Sequence, residues 1–331
     1  NICAPPRFVN AAAGDFRLEP DSPCIDAGGD HGSVTALDGA ARPRDGDGDG
    51  NATPDMGAFE RIAADSVLNC WFTLDNPEAF DTLTPTFTAR VFGPNTNGLH
   101  YYWDFGNGKQ SGPGLAVVQR TYGYGIHDVT LTVSNAINET AAWSREAAVK
   151  VGARRSYVAP GGGHQYPFDT WSRAATNIMD AVRGAVVESS GATHVVVSNG
   201  TYQVPSAVHS IYVDRGIRLS SLAGAAETIL SGSITSDVYP NIEVDHPDAV
   251  VEGFTSRNAR CGAVVSRGVL RRCILRNNTG DNRTGHDSGF GAGARLFGGV
   301  LSETQVLTNH VFGTTYARGG GLYMMGPALA E

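Results

Sequence analysis

Val251-Glu252-Gly253-Phe254-Thr255-Ser256-Arg257-Asn258 decides how the C-terminal half of this chain folds, because its pattern returns twice. Leu270, Cys273, Leu275 and Asn277 repeat the spacing of Val251, Phe254, Ser256 and Asn258, and Leu301, Thr304, Val306 and Thr308 repeat it again. The offsets within each copy are identical, while the copies start 19 and then 31 residues apart. Strands that keep their spacing while their connections vary in length are what stacked coils permit, since insertions leave as loops at fixed corners. Asn258 and Asn277 share one slot of the repeat, and Asn278 and Asn309 share the next. Asparagines stacked coil upon coil hydrogen-bond as a ladder, so these are expected to be structural.

Short apolar strands punctuated by turns surround the repeat: Ile211 to Val213, Ile217 to Leu219, Ile229-Leu230, Ile242 to Val244, Val250-Val251, Val269-Leu270 and Val300-Leu301. Upstream, Ile178, Ala181 and Val182 lie at helical spacing and predict a short amphipathic helix that caps the coils. Val195-Val196-Val197 follows as a buried strand closed by a turn at Asn199-Gly200. The helix, then Val195-x-Val197-x-x-Gly200-x-Tyr202, then rising strands, resemble the N-terminal part of the pectin-lyase-like right-handed parallel β-helix superfamily over residues 153–331. Gly319-Gly320-Gly321-Leu322-Tyr323-Met324 reads as the opening strand of another coil.

The middle of the chain has a different period. Phe87, Ala89 and Val91 alternate with polar neighbours, as do Tyr101, Trp103 and Phe105, and Val129, Leu131 and Val133. Period-two patterning predicts half-buried antiparallel strands of a two-sheet sandwich. Trp103-Asp104-Phe105-Gly106-Asn107-Gly108 and Tyr122, leading into Val129-Thr130-Leu131-Thr132-Val133-Ser134-Asn135, resemble the PKD domain, an immunoglobulin-like β-sandwich, over residues 63–152. His127 stands where that family usually carries Tyr. Alternation places Trp103 in the core and leaves Tyr102 on the opposite face as the exposed aromatic.

Residues 1–62 are loop-rich. Asp15-Phe16-Arg17-Leu18, Ser22-Pro23-Cys24-Ile25-Asp26-Ala27-Gly28, Arg42-Pro43 and Asp55-Met56-Gly57-Ala58-Phe59-Glu60 resemble the choice-of-anchor Q region, which in its family caps an upstream β-helix. The resemblances together imply an internal slice of a longer secreted or cell-surface bacterial protein. Its expected fold is all-β: a loop-rich cap, a PKD sandwich and a right-handed parallel β-helix.

Composition agrees with that class. The 331 residues include 42 glycines and 16 prolines, with 41% hydrophobic and 18% charged residues, as in a turn-dense globular chain. A net charge of -8 with scattered Lys and Arg gives no footprint for nucleic acid. No stretch reaches the roughly 18 apolar residues of a spanning helix. Cys3, Cys24, Cys70, Cys261 and Cys273 lack CxxC spacing, and their odd number leaves at least one unpaired within the chain. Buried thiols are one reading and a Cys3 to Cys24 disulfide is the other.

Three groups carry candidate chemistry. Asp45, Asp47, Asp49 and Asn51 place oxygens at every second residue, with Asp55 nearby, in the spacing of a calcium loop; Met56 stands where an EF-hand has its bidentate Glu. Asp245, Asp248 and Glu252, followed by Arg257 and Arg260, are the nearest approach to a lyase's Ca²⁺ cluster and base. Asp281, His286 and Asp287, in a polar glycine-rich insertion, are the nearest approach to a hydrolase's paired acids. No GxSxG, HExxH or P-loop is present. The leading expectation is a non-catalytic surface protein that meets polysaccharide, cell-surface glycan or other surface proteins. A polysaccharide lyase or glycoside hydrolase, and a structural cell-envelope protein, are the alternatives.

Overall fold

A computed structural model describes residues 4–11, 15–19, 21–29, 32, 34–37, 41–47, 49, 51–61, 68–93, 95–204, 210–233, 240–281, 291–312, 320–325 and 329–330. The chain parts into two compact units: Asn1–Pro77, Thr84–Tyr122 and Ile126–Val149 form one, and Glu78–Leu83, Gly123–Gly125 and Lys150–Glu331 the other.

In the first unit the N-terminal residues make an antiparallel hairpin of β1 (Phe8–Asn10) and β2 (Asp15–Leu18), with the Phe8 and Phe16 rings edge-on at 5.4 Å. Among the described residues, the loops that follow hang on buried polar groups. Asp55, fully buried, accepts hydrogen bonds from the backbone N–H of Asp26 at 2.8 Å and of Arg61. Its own N–H donates to Glu60 Oε1 at 2.9 Å, and Arg42 pairs with the same oxygen at 2.8 Å. Glu60 Oε2 takes the N–H of Arg44. Buried charges persist only when paired or hydrogen-bonded: Arg42 pairs with Glu60, and the Asp55 carboxylate is held by the backbone N–H groups of Asp26 and Arg61.

Eight strands follow: β3 (Asn69–Leu74), β4 (Glu78–Phe80), β5 (Thr86–Phe92), β6 (His100–Asp104), β7 (Lys109–Gly112), β8 (Val117–Gln119), β9 (Gly125–Ser134) and β10 (Thr140–Gly152). They form two sheets, ordered β3-β5-β8 and β4-β10-β9-β6-β7. Side chains alternate across the pleat, so Tyr101, Trp103, Leu131 and Val133 turn inward while Tyr102 and Thr132 turn out. Trp103 is 1% exposed, parallel to Phe105 at 5.5 Å, and its indole N–H donates to Leu115 O at 2.9 Å. Gly106 makes the reversal into β7 with φ +73°, where a Cβ would lie 2.8 Å from Asp128 O. His127 packs against the buried Tyr122 ring at 4.8 Å.

The second unit is a parallel β-helix. Arg155–Val158, His194–Val197 and Arg218–Ser221 stack in parallel, then continue into the ends of Pro240–Glu252 and Cys261–Arg271 and into Val300–Ser302. Gly200–Gln203, Thr228–Ser231, Thr255–Arg257, Ile274–Arg276 and Gln305–Leu307 form a second parallel sheet. A third face runs through Ile211–Val213, the starts of the two long strands, Ala294–Leu296 and Leu322–Met324. The repeat read from the sequence is the register itself: Val251 pairs with Leu270 and Leu270 with Leu301, and Ser256 with Leu275 and Leu275 with Val306.

Like residues stack in the interior, as in Val213, Val244, Val265 and Leu296, all fully buried. Each such side chain contributes about 1.5–3 kcal/mol of burial. Corners recur as well: Gly253, Arg272 and Glu303 occupy one left-handed position at φ 81°, 52° and 48°, and Asn258, Asn277 and Thr308 another at 59°, 53° and 49°. Glycine and asparagine suit that conformation, and the stacked coils impose it on Arg272, Glu303 and Thr308. The helix α1 (Ile178–Gly184) covers the first coil with Ile178, Ala181 and Val182, and Asn177 caps it by accepting the Asp180 N–H at 2.9 Å. Cys24, Cys70, Cys261 and Cys273 are free buried thiols, and Cys3 lies outside the described residues. Burial pushes the Cys70 and Cys273 thiols up to about 12.

Candidate functional site

Among the described residues, the β-helix carboxylates Asp245, Asp248 and Glu252 do not converge. Asp245 lies where the register between neighbouring coils shifts, and Arg267 of the next coil holds it through Nε to Oδ1 at 2.8 Å and Nη2 to the backbone oxygen at 2.8 Å. Asp248 has an 82% exposed side chain, with His246 Nδ1 3.9 Å from its Oδ2 and accepting the Asp248 backbone N–H at 3.1 Å. Glu252 belongs to a different face, opposite Ser220 and Arg271. It is clamped between coils: Arg218 Nε donates to Oε1 at 2.6 Å and Arg271 Nε to Oε2 at 2.7 Å. Burial by itself would raise the Glu252 carboxyl, but the hydrogen bonds from Arg218 and then Arg271 outweigh it and hold it below the usual glutamate range. A general acid requires the opposite displacement.

Arg257 is half-buried at the end of the strand Thr255–Arg257, one corner beyond the Glu252 clamp in sequence, and Arg260 follows the Asn258 corner. Asp281 ends the strand Thr279–Asp281, opposite Phe312. His286 and Asp287 lie outside the described residues.

The N-terminal acidic loop is assembled differently from the spacing read in the sequence. Asp47 and Asp49 close local turns, Asp47 Oδ1 accepting the Asp49 N–H at 3.0 Å and Asp49 Oδ1 the Asn51 N–H at 2.7 Å. Asp55 points into the buried hub, both oxygens engaged by backbone N–H groups. The carboxylates brought together are Asp26, Asp45 and Asp47, each offering an oxygen within 4.8 Å of the others. Asp26 comes from some 20 residues upstream, where the Asp26-Ala27-Gly28 motif is its one signal in the sequence. Its oxygens already accept the N–H of Gly46 and of Asp47, both at 3.0 Å. Burial pushes the Asp26 carboxyl up and the Asp47 charge adds to this, against those backbone donors. Ca²⁺ takes oxygen ligands at about 2.3–2.6 Å, and these three carboxylates are the ones among the described residues that stand close enough together to be considered for it.

The sandwich carries a third feature. The outward face of β6, β7 and β9 holds a shallow depression of about 520 Å³ lined by Tyr102, Asp104, Lys109, Ser111, Thr130 and Thr132. Tyr102 is 47% exposed and rests against the His100 ring at 4.5 Å.

Comparison with known families matches residues 81–146 to the PKD domain. No curated protein and no solved structure gives a match. No helix among the described residues is long and apolar enough to cross a membrane.

Proposed function

We propose that this chain is a non-catalytic part of a secreted or cell-surface multidomain protein, in which a PKD module carries β-helical surfaces for glycan binding or adhesion. Residues 1–62 act in this reading as a choice-of-anchor Q-like cap, 63–152 as the PKD module and 153–331 as the entry and early coils of a right-handed β-helix. The right hand follows the strong preference of parallel crossovers. PKD domains are usually extracellular, which supports the location.

One observation carries the non-catalytic reading: Asp245 and Glu252 are each neutralised by arginines of neighbouring coils, at 2.6 to 2.8 Å. A lyase needs bare carboxylates around Ca²⁺, and a hydrolase needs two facing acids of different pKa. Incubating the chain with uronate-containing and neutral polysaccharides plus Ca²⁺ is expected to yield neither unsaturated products nor new reducing ends. Either product would sink the reading and point to the 281–287 segment.

The Asp26, Asp45 and Asp47 carboxylates are proposed to take Ca²⁺ as a structural ion of the cap. An ion bound only by the folded state stabilises by about 2.7 kcal/mol at a hundredfold excess over its Kd. Melting should therefore rise in millimolar CaCl₂, and Asp47→Asn should remove the rise. A melting curve indifferent to calcium and EDTA would refute the site.

A further inference from the structure

We infer that the outward face of β6, β7 and β9 is a binding site for a neutral polysaccharide chain, seated on Tyr102. The inference rests on the glycan-binding reading above and places the contact on the sandwich. Tyr102 stands at the centre of three hydrogen-bonded strands, directly across from Ser111 on one side and Thr132 on the other. One position along, Asp104 is across from Lys109 and Thr130. Strands lie about 4.8 Å apart, so these residues form a flat grid of hydroxyls around one aromatic ring.

The chemistry of that grid selects its occupant. Its two charges cancel within it, Lys109 Nζ lying 3.1 Å from Asp104 Oδ2. Hydrogen bonds from the Gly106 N–H and then from Lys109 hold Asp104 below the usual aspartate range. An ionic ligand would have to break this pair, whereas a neutral polyol would not. A protein partner would favour an apolar, aromatic-rich centre depleted of Lys, Asp and Ser, which this face is not. An aromatic ring offers an apolar face to sugar C–H groups while neighbouring hydroxyls and amides take the ring substituents. The depression, about 520 Å³, falls in the size range of ligand clefts and opens to solvent.

Tyr102 is already positioned. Its ring is 4.5 Å from that of His100, one pleat away on the same strand, so little freedom is lost on binding.

The test is co-sedimentation of the full chain with insoluble β-1,4-glucan, β-1,4-xylan and chitin. Binding to at least one is expected, unchanged by high salt, with Tyr102→Ala weakening it about tenfold and Tyr102→Phe leaving it within about twofold. Ser111→Glu, on the exposed edge strand β7, is expected to abolish binding by placing an unpaired charge in the depression. Both positions are exposed, so equal melting temperatures report intact folding. If the wild type binds and both variants bind equally well, the site is wrong while the glycan-binding reading stands. Salt-sensitive binding confined to anionic polysaccharides would overturn the neutral class. If the wild type binds no polysaccharide, or only a protein, both the site and the parent reading fall.

Discussion

Trp103→Ala is expected to destabilise the sandwich by about 3–5 kcal/mol, enough to lose its folded state under mild heating. The indole lies within a connected set of rings, 5.3 Å from Phe72, 5.8 Å from Phe87 and 5.5 Å from Phe105. Truncation removes those contacts and opens a cavity that stiff aromatic neighbours cannot collapse into. It also strands the Leu115 carbonyl, which accepts the indole N–H. Tyr102→Ala, one residue earlier, should stay within about 0.5 kcal/mol because its ring faces solvent. Urea midpoints of the two variants measure the contrast. Equal midpoints would mean that Trp103 is not the inward ring and Tyr102 not the outward one, and the proposed ligand-facing aromatic would fall with them.

Asn278→Ala should cost the β-helix about 3–5 kcal/mol, although it removes only a carboxamide. Asn278 is fully buried, and its Oδ1 accepts the Ala259 N–H at 3.1 Å. Its Nδ2 donates to Ser256 O at 3.1 Å and to Asn309 Oδ1 at 3.0 Å. Alanine leaves the Ala259 N–H buried without its partner, at about 1–3 kcal/mol, and removes the two Nδ2 bonds to Ser256 O and Asn309 Oδ1, each worth about 0.5–1.5 kcal/mol. Asn258→Gly makes the control. That residue sits at a corner with φ 59°, where glycine is at ease, so the change should cost less than about 1 kcal/mol. Chemical denaturation of the two variants separates a ladder residue from a corner residue. Similar losses would contradict the ladder.

The two asparagine slots show what can be read from one chain and what cannot. That positions 258 and 277 are equivalent, and 278 and 309, follows from spacing, because stacking in register makes identical offsets meet. Which slot bonds inward is not visible in spacing. Backbone conformation decides it: the left-handed turn at 258 and 277 directs the next residue into the coil, where Asn278 finds Asn309.

The candidate sites divide along the same line. Strand period, the sandwich alternation that buries Trp103 and exposes Tyr102, the capping helix and the coil register are consequences of local geometry. A pleat of period two and a helix of period 3.6 translate residue type directly into a face. Pairings between charged groups are set by distance in space. Glu252 meets Arg218 and Arg271 across 34 and 19 residues, Asp245 meets Arg267 across 22, and Asp26 joins Asp47 across 21. Spacing along the chain made Asp245, Asp248 and Glu252 neighbours, yet the bend between them sends Asp245 and Glu252 to different faces and different arginines. A carboxylate's chemistry depends on the charges and dipoles within a few ångströms of it, and only the packed coils supply those.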